Sequence, residues 1–139
     1  MVFESNTPGD TYKLGKDMGE KAVSGQIYCL IGELGSGKTL FAQGFAEGMG
    51  IKEPVSSPTF TLIQEYDEGR LPLYHFDVYR IEDEEEMYEI GYEDYFYGGG
   101  VCLVEWANLI EPLIPEDAVR INMERDDRKS PDYRRIRVD

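Results

Sequence analysis

Apolar residues Leu14, Met18 and Ala22 recur at helical spacing through residues 11–23. That rhythm predicts a helix with Asp10 or Thr11 as its N-cap and Ser24-Gly25 as its stop. The pattern then changes. Residues 26–31 carry a short apolar run of strand formers, Ile27-Tyr28-Cys29-Leu30-Ile31, and predict a buried strand. A glycine-rich stretch follows at once. Leu40, Phe41, Phe45 and Met49 then restore a helical period over residues 39–49, closed by Gly50.

Residues 52–59 read as a loop, with Lys52-Glu53-Pro54 opening it and Ser56-Ser57-Pro58-Thr59 continuing it. Residues 59–66 alternate toward a strand. Asp67-Glu68-Gly69-Arg70 is a hairpin turn, and residues 71–77 form the returning, antiparallel strand. Residues 82–89 predict a helix and residues 92–97 a second short turn. Gly98-Gly99-Gly100 breaks the chain before an apolar strand over residues 101–105. Residues 108–113 predict a short helix or irregular turn bounded by Pro112 and Pro115. Residues 119–123 and 133–138 read as two further strands, separated by a polar turn over 126–131. There is no internal repeat, linker or low-complexity tract. The expectation is one α/β domain over residues 1–139: a mostly parallel sheet with an antiparallel hairpin and helices on both faces.

Composition narrows the function classes. The 139 residues are 41% hydrophobic and 30% charged, in keeping with a solvated globular surface around a real core. No apolar run approaches the ~20 residues that span a bilayer. The start, Met1-Val2-Phe3-Glu4-Ser5, lacks the basic and apolar segments of a secretory signal. Two cysteines, Cys29 and Cys102, sit inside apolar strand runs and read as buried reduced thiols. A cytoplasmic protein is expected. Net charge is −14, from 28 acidic and 14 basic residues. Such a surface repels phosphate backbones and suits a basic protein partner better than nucleic acid. The acid gathers at residues 82–86 and at Glu89, Glu93 and Asp94. The base gathers in the tail, at Arg125, Arg128, Lys129, Arg134, Arg135 and Arg137.

The glycine-rich stretch carries the chemistry. Gly32-Glu33-Leu34-Gly35-Ser36-Gly37-Lys38-Thr39 fits GxxxxGK[ST] in full, between a predicted strand and a predicted helix. The fold expectation thereby becomes P-loop NTPase-like. Triphosphate oxygens need many donors at close range. Gly35 and Gly37 let the backbone wrap the phosphate, so that amides from Gly35, Ser36 and Gly37 on to Thr39 point inward at a helix N-terminus. Lys38 adds a charge that bridges the outer phosphates, and Thr39 offers a hydroxyl to magnesium. ATP with Mg2+ is the expected ligand pair.

Such a loop needs a carboxylate from another strand end. Two candidates stand there: Asp77, after Leu73-Tyr74-His75-Phe76, and Glu105, after Val101-Cys102-Leu103-Val104. Glu105 follows the cleaner buried run. Asp77 is placed to orient a water or a nucleophile. Thr59, and after it Ser57, is the candidate hydroxyl for sensing a γ-phosphate, against a plain loop-to-strand cap. His75, the sole histidine, reads as a packed, hydrogen-bonded strand residue rather than a catalyst. Trp106 either lines the site or packs beside it. The Asn-Lys-x-Asp segment of guanine-specific proteins is missing, which favours ATP. The chain is also short for a small-molecule kinase with a lid and an acceptor pocket.

In the order GELGSGKT, SPTFTL, YHFDVYR and LVEWA, these segments resemble the TsaE (YjeE) family of small bacterial P-loop ATPases. The likeness runs from about Thr11 to Glu111, and the tail after Pro115 matches loosely. The resemblance implies a role in the threonylcarbamoyl modification of adenosine next to the anticodon of certain tRNAs. It implies binding to the TsaD–TsaB pair and ATP hydrolysis that resets the transferase complex, without transfer of the threonylcarbamoyl group by this chain. It implies phosphate and magnesium binding at Lys38 and Thr39, a magnesium ligand at Glu105, Asp77 as the second acid, Thr59 in a switch-like loop and Trp106 beside the nucleotide. It also implies that the stretch from Thr7 to Thr11 and the tail around Arg134 lie near the base or the phosphates.

These strands of reasoning converge on a magnesium-dependent ATPase subunit, with Lys38 and Asp77 in the catalytic roles. It is expected to be a monomer or weak oligomer when alone, and slow without partners, since no obvious arginine stands near the loop beyond Arg80. A small-molecule kinase and a nucleotide-dependent binding module without meaningful hydrolysis are the rivals. No stable tRNA contact and no membrane contact are expected.

Overall fold

The computed structural model describes residues 1–56 and 62–139. The strands are β1 (Val2–Ser5), β2 (Ile27–Ile31), β3 (Ile63–Tyr66), β4 (Leu73–Asp77), β5 (Val101–Glu105), β6 (Val119–Arg125) and β7 (Arg134–Val138). The helices are α1 (Pro8–Lys21), α2 (Lys38–Gly48), α3 (Glu85–Glu89) and α4 (Tyr92–Phe96), with a 3-10 segment over Ala107–Leu113. One sheet runs in the order β1-β7-β6-β2-β5-β4-β3. Strands β6, β2, β5 and β4 are mutually parallel and form its centre. Antiparallel strands extend both edges, β3 on one side and β7 with β1 on the other.

The fully buried runs of β2 and β5 explain the parallel centre, because strands covered on both faces must be apolar throughout. Alternation along them divides the core. Tyr28, Leu30, Val101 and Leu103 pack with Phe41, Phe45 and Met49 of the α1–α2 side. Ile27, Cys29, Cys102 and Val104 pack with Phe76, Met87, Tyr92 and Phe96 on the opposite side. Helices therefore cover both faces. Each large apolar side chain buried in this way stabilises the fold by roughly 1.5–3 kcal/mol. Both cysteines are free and buried, and burial pushes each thiol up to about 12.

Helices α1 and α2 meet closely enough that glycine is required at the contact. A Cβ at Gly19 would overlap the Phe45 carbonyl, and one at Gly44 would overlap the Tyr12 carbonyl. The tyrosine hydroxyl of Tyr12 bonds Glu47 across the same seam. This contact ties the first half of α1 to α2.

Three sequence expectations are corrected. Helix α1 begins at Pro8 rather than near Thr11, and its cap is Thr7, whose hydroxyl accepts the Asp10 amide at 3.1 Å. Proline is suited to the first helical position because the missing N–H has no intrahelical partner there. The N-terminus forms β1, paired to β7, so antiparallel pairing is not confined to the hairpin. The helix expected over 82–89 starts only at Glu85. Of the strand expected over 59–66, Ile63–Tyr66 is observed, and residues 57–61 lie outside the described residues. No helix among the described residues is long and apolar enough to cross a membrane.

Candidate functional site

The chain leaves β2 at Ile31 and enters α2 at Lys38, so the glycine-rich segment bridges a buried strand and a helix N-terminus. Gly35 (φ = 80°) and Gly37 (φ = 99°) both lie in the left-handed region. Glycines of that conformation, alternating with ordinary residues, turn successive N–H groups toward a common anion. Gly37 caps α2 without a side-chain hydrogen bond, which leaves the first-turn amides to an external acceptor. Ser36 is buried, and its hydroxyl has no partner among the described residues.

Lys38 is only 6% exposed. Its ammonium donates to the carbonyls of Gly32 and Glu33, and stands 3.8 Å from the centroid of the Trp106 ring. Burial lowers its pKa, while the negative charges of Glu105, Asp77 and Glu33 oppose that shift. The loop is also held from outside. The Arg134 guanidinium donates to the Ser36 carbonyl at 3.1 Å and the Gly35 carbonyl at 3.0 Å, and to the carbonyls of Pro131 and Tyr133. On the other flank, Ser5 and Thr11 share a buried hydroxyl–hydroxyl bond of 2.7 Å. The Thr11 methyl stands 3.6 Å from where a Cβ on Gly37 would lie.

The acids arrive on the two neighbouring parallel strands. Register sets Asp77 opposite Glu105 at the carboxyl ends of β4 and β5. Both interact with the Lys38 charge. Glu105 is 3% exposed and bonds His75 Nε2 at 2.7 Å. Asp77 is half-buried, and burial raises its carboxyl above the ordinary range, against an opposing hydrogen bond from the Tyr79 amide. Trp106 follows Glu105 with φ = 64°, the sole non-glycine residue of positive φ among those described. Such a backbone costs ~1–3 kcal/mol and persists where the surroundings enforce it. Its ring lies 4.7 Å from that of Tyr79 and under the Lys38 ammonium.

The donor set fits a hard divalent cation. Thr39 sits in the first turn of α2, facing solvent, beside Lys38, on which the Glu105 and Asp77 carboxylates act. Magnesium characteristically takes one or two carboxylates and completes its shell with phosphate oxygens and water. Among the described residues no group of three or more His, Cys, Asp and Glu side chains forms a self-sufficient metal cage.

The structure thus brings together Gly35, Ser36, Gly37, Lys38, Asp77, Glu105 and Trp106. Arg134 lies beside the loop, bonded to its carbonyls. Thr7 lies at the neighbouring helix start, engaged as a cap. Thr59 and Ser57 fall outside the described residues. Sequence reasoning treated His75 only as a strand residue and did not single out Tyr79 or Ser5. The available signal for His75 was its parity with Asp77, which puts both side chains on one face of β4.

Comparison with known proteins follows the same residues. A family model described as "Threonylcarbamoyl adenosine biosynthesis protein TsaE" matches residues 5–136. The chain belongs to the TsaE family. The TsaE match extends well beyond the span from Thr11 to Glu111 and takes in the tail that was expected to match only loosely. The "tRNA threonylcarbamoyladenosine biosynthesis protein TsaE" of Bacillus subtilis (strain 168) is 51% identical over 125 residues, covering 90% of this chain and 78% of that protein. The protein of the same description from Treponema pallidum (strain Nichols) is 42% identical, covering 86% and 87%. A solved structure described as "Crystal structure of Bacillus subtilus YdiB" superposes with a TM-score of 0.78 at 40% identity, covering 98% of this chain and 82% of that one. The family match takes in β7, whose Arg134 braces the loop in this chain, as well as the glycine-rich segment.

Proposed function

We propose that this chain is a magnesium-dependent ATP-binding and ATP-hydrolysing subunit that serves the threonylcarbamoyladenosine modification of tRNA by acting on a TsaD–TsaB complex. The observation that carries the reading is the meeting of a buried lysine, two strand-end carboxylates and an uncapped helix N-terminus at one glycine-rich loop. The names of its relatives supply the pathway.

In this reading the loop amides and Lys38 receive the phosphates. Lys38 releases the Gly32 and Glu33 carbonyls in exchange for phosphate oxygens, an exchange between acceptors within one low-dielectric site. Thr39 and Glu105 would hold magnesium directly or through its waters, and the bound ion would supply positive charge against the phosphates. Asp77 orients the attacking water. Its raised pKa makes it a better proton acceptor than an exposed aspartate would be. Trp106 walls the site beside Lys38 and limits water access. Arg134, contrary to the expectation that no arginine beyond Arg80 stands near the loop, lies beside it, but its guanidinium is engaged with loop carbonyls. Arg80 is solvent-exposed, so turnover by the isolated chain is slow unless a partner supplies or repositions a cation. The net charge of −14 disfavours direct grip on tRNA and favours a protein partner.

Pull-down with TsaD and TsaB in ATP and in ADP tests the partner assignment. Nucleotide-dependent retention is expected, and equal failure to bind in both nucleotides contradicts it. Screening nucleosides and sugars for ATP-dependent phosphorylation tests the enzyme class. Robust product formed without partners would make the chain a small-molecule kinase instead.

A further inference from the structure

One buried polar contact against this site has no role in the reading above. His75 and Glu105 are 1% and 3% exposed, and they meet at 2.7 Å through Nε2 and Oε2. The geometry follows from register. His75 lies opposite Leu103 and Asp77 opposite Glu105, so His75 reaches Glu105 along the diagonal of one sheet face. The imidazole thus stands one step deeper in the core than both carboxylates.

We propose that His75 is a positioning residue that fixes the Glu105 carboxylate in the orientation magnesium or its waters require. The inference rests on the magnesium–nucleotide reading of the site. Two features carry it. A buried carboxylate needs donors, and His75 supplies one from the core side, away from the loop. Further, His75 Nδ1 is buried and has no hydrogen-bond partner among the described residues. A proton on Nδ1 would be an unsatisfied buried N–H, so the geometry favours a proton on Nε2, from which His75 donates to Glu105. The carboxylate is thereby held in one orientation.

The chain has a single histidine and a single tryptophan, so both readouts are unambiguous in the intact protein. The first is the nitrogen-15 spectrum of the imidazole. A protonated Nε2 with a bare Nδ1 is expected, and an Nδ1–H ring or a rapidly averaging pair of tautomers overturns the proposal. The second is magnesium titration in the presence of ADP, read by Trp106 fluorescence, for wild type, His75→Gln and His75→Leu. Removing the donor in His75→Leu is expected to raise half-saturating magnesium by about tenfold or more. ADP affinity without magnesium should change less than about twofold, and His75→Gln, which keeps a donor near Nε2, should recover most of the loss. Equal magnesium dependence in wild type and His75→Leu overturns the positioning role while the nucleotide reading stands. Should His75→Leu not fold, the tautomer and His75→Gln decide: a magnesium midpoint for His75→Gln within about threefold of wild type supports the role, and a larger shift overturns it. A wild type whose ADP binding ignores magnesium overturns the nucleotide reading itself, and this proposal with it.

Discussion

The glycine-rich loop and the carboxylate strands face each other across the site, yet they are built by opposite means. The loop is made of backbone. Two left-handed glycines and a helix start set its shape, and Arg134 braces it by bonding carbonyl oxygens. The strand ends are made of side chains. Their geometry depends on the register of β4 against β5 and on a buried imidazole–carboxylate contact. The lesson is a division of labour. In the proposed function the loop half recognises an anion of fixed shape, and the strand half carries the groups whose charge and protonation matter to chemistry. Lys38, over Trp106, touches both.

Substitutions that strike one half alone are the way to break this comparison. The largest effect is expected at Asp77. Asp77→Asn keeps an acceptor for the Tyr79 amide but removes the charge, and partner-stimulated phosphate release should fall ~1000-fold with ADP affinity almost unchanged. Burial raises the Asp77 pKa, so its ionised form destabilises the empty fold. The folded protein binds that proton more tightly than the unfolded chain does, and wild-type stability therefore rises as pH falls through the raised value. Asp77→Asn should melt higher than wild type at neutral pH, with the difference closing as acid neutralises Asp77. Thermal scans across pH check the sign, and a variant that melts lower at neutral pH would contradict it.

Next in size is the seam beneath the loop. Gly19→Leu forces α1 off the Phe45 carbonyl and should cost about 3 kcal/mol in chemical denaturation. Because α1 flanks Gly37 through Thr11, ADP affinity should fall with it. Unchanged stability would mean that the two helices separate freely. Arg134→Ala should weaken ADP binding about tenfold by calorimetry, through loss of charge-assisted bonds that hold the loop. A smaller Arg134→Ala effect on turnover at saturating ATP would locate the damage in the loop half. The smallest effect is expected at Thr7. Thr7→Ala removes the α1 cap and should cost about 1 kcal/mol. A drop in ADP affinity of more than about twofold in that variant would add a nucleotide contact to the cap.

The same division explains what the sequence discloses. The loop is legible because its residue types answer local demands: glycine for left-handed backbone, lysine and threonine at a helix start. The parallel centre is legible from the unbroken apolar runs of β2 and β5. His75–Glu105 is not, because it joins residues thirty positions apart through a register that no local pattern encodes. The α1 start was misread because Asp10 and Thr11 are also cap-forming types, whereas Pro8 at the first helical position marks the true boundary. β1 is a short edge strand, exposed along most of its length, and shows no clear alternation. Arg134 was tied to the nucleotide only by family likeness, and its bonds to the loop carbonyls come from tertiary packing of β7.

The central claim is that this loop and these acids hydrolyse ATP in the service of a protein complex. Phosphate release by the intact chain with magnesium ATP, alone and with TsaD and TsaB, compared between wild type and Lys38→Ala, tests it most directly. The account predicts slow release by wild type alone, a clear increase with both partners, and loss of that increase in Lys38→Ala. Equal release from wild type and Lys38→Ala in the presence of both partners would contradict it.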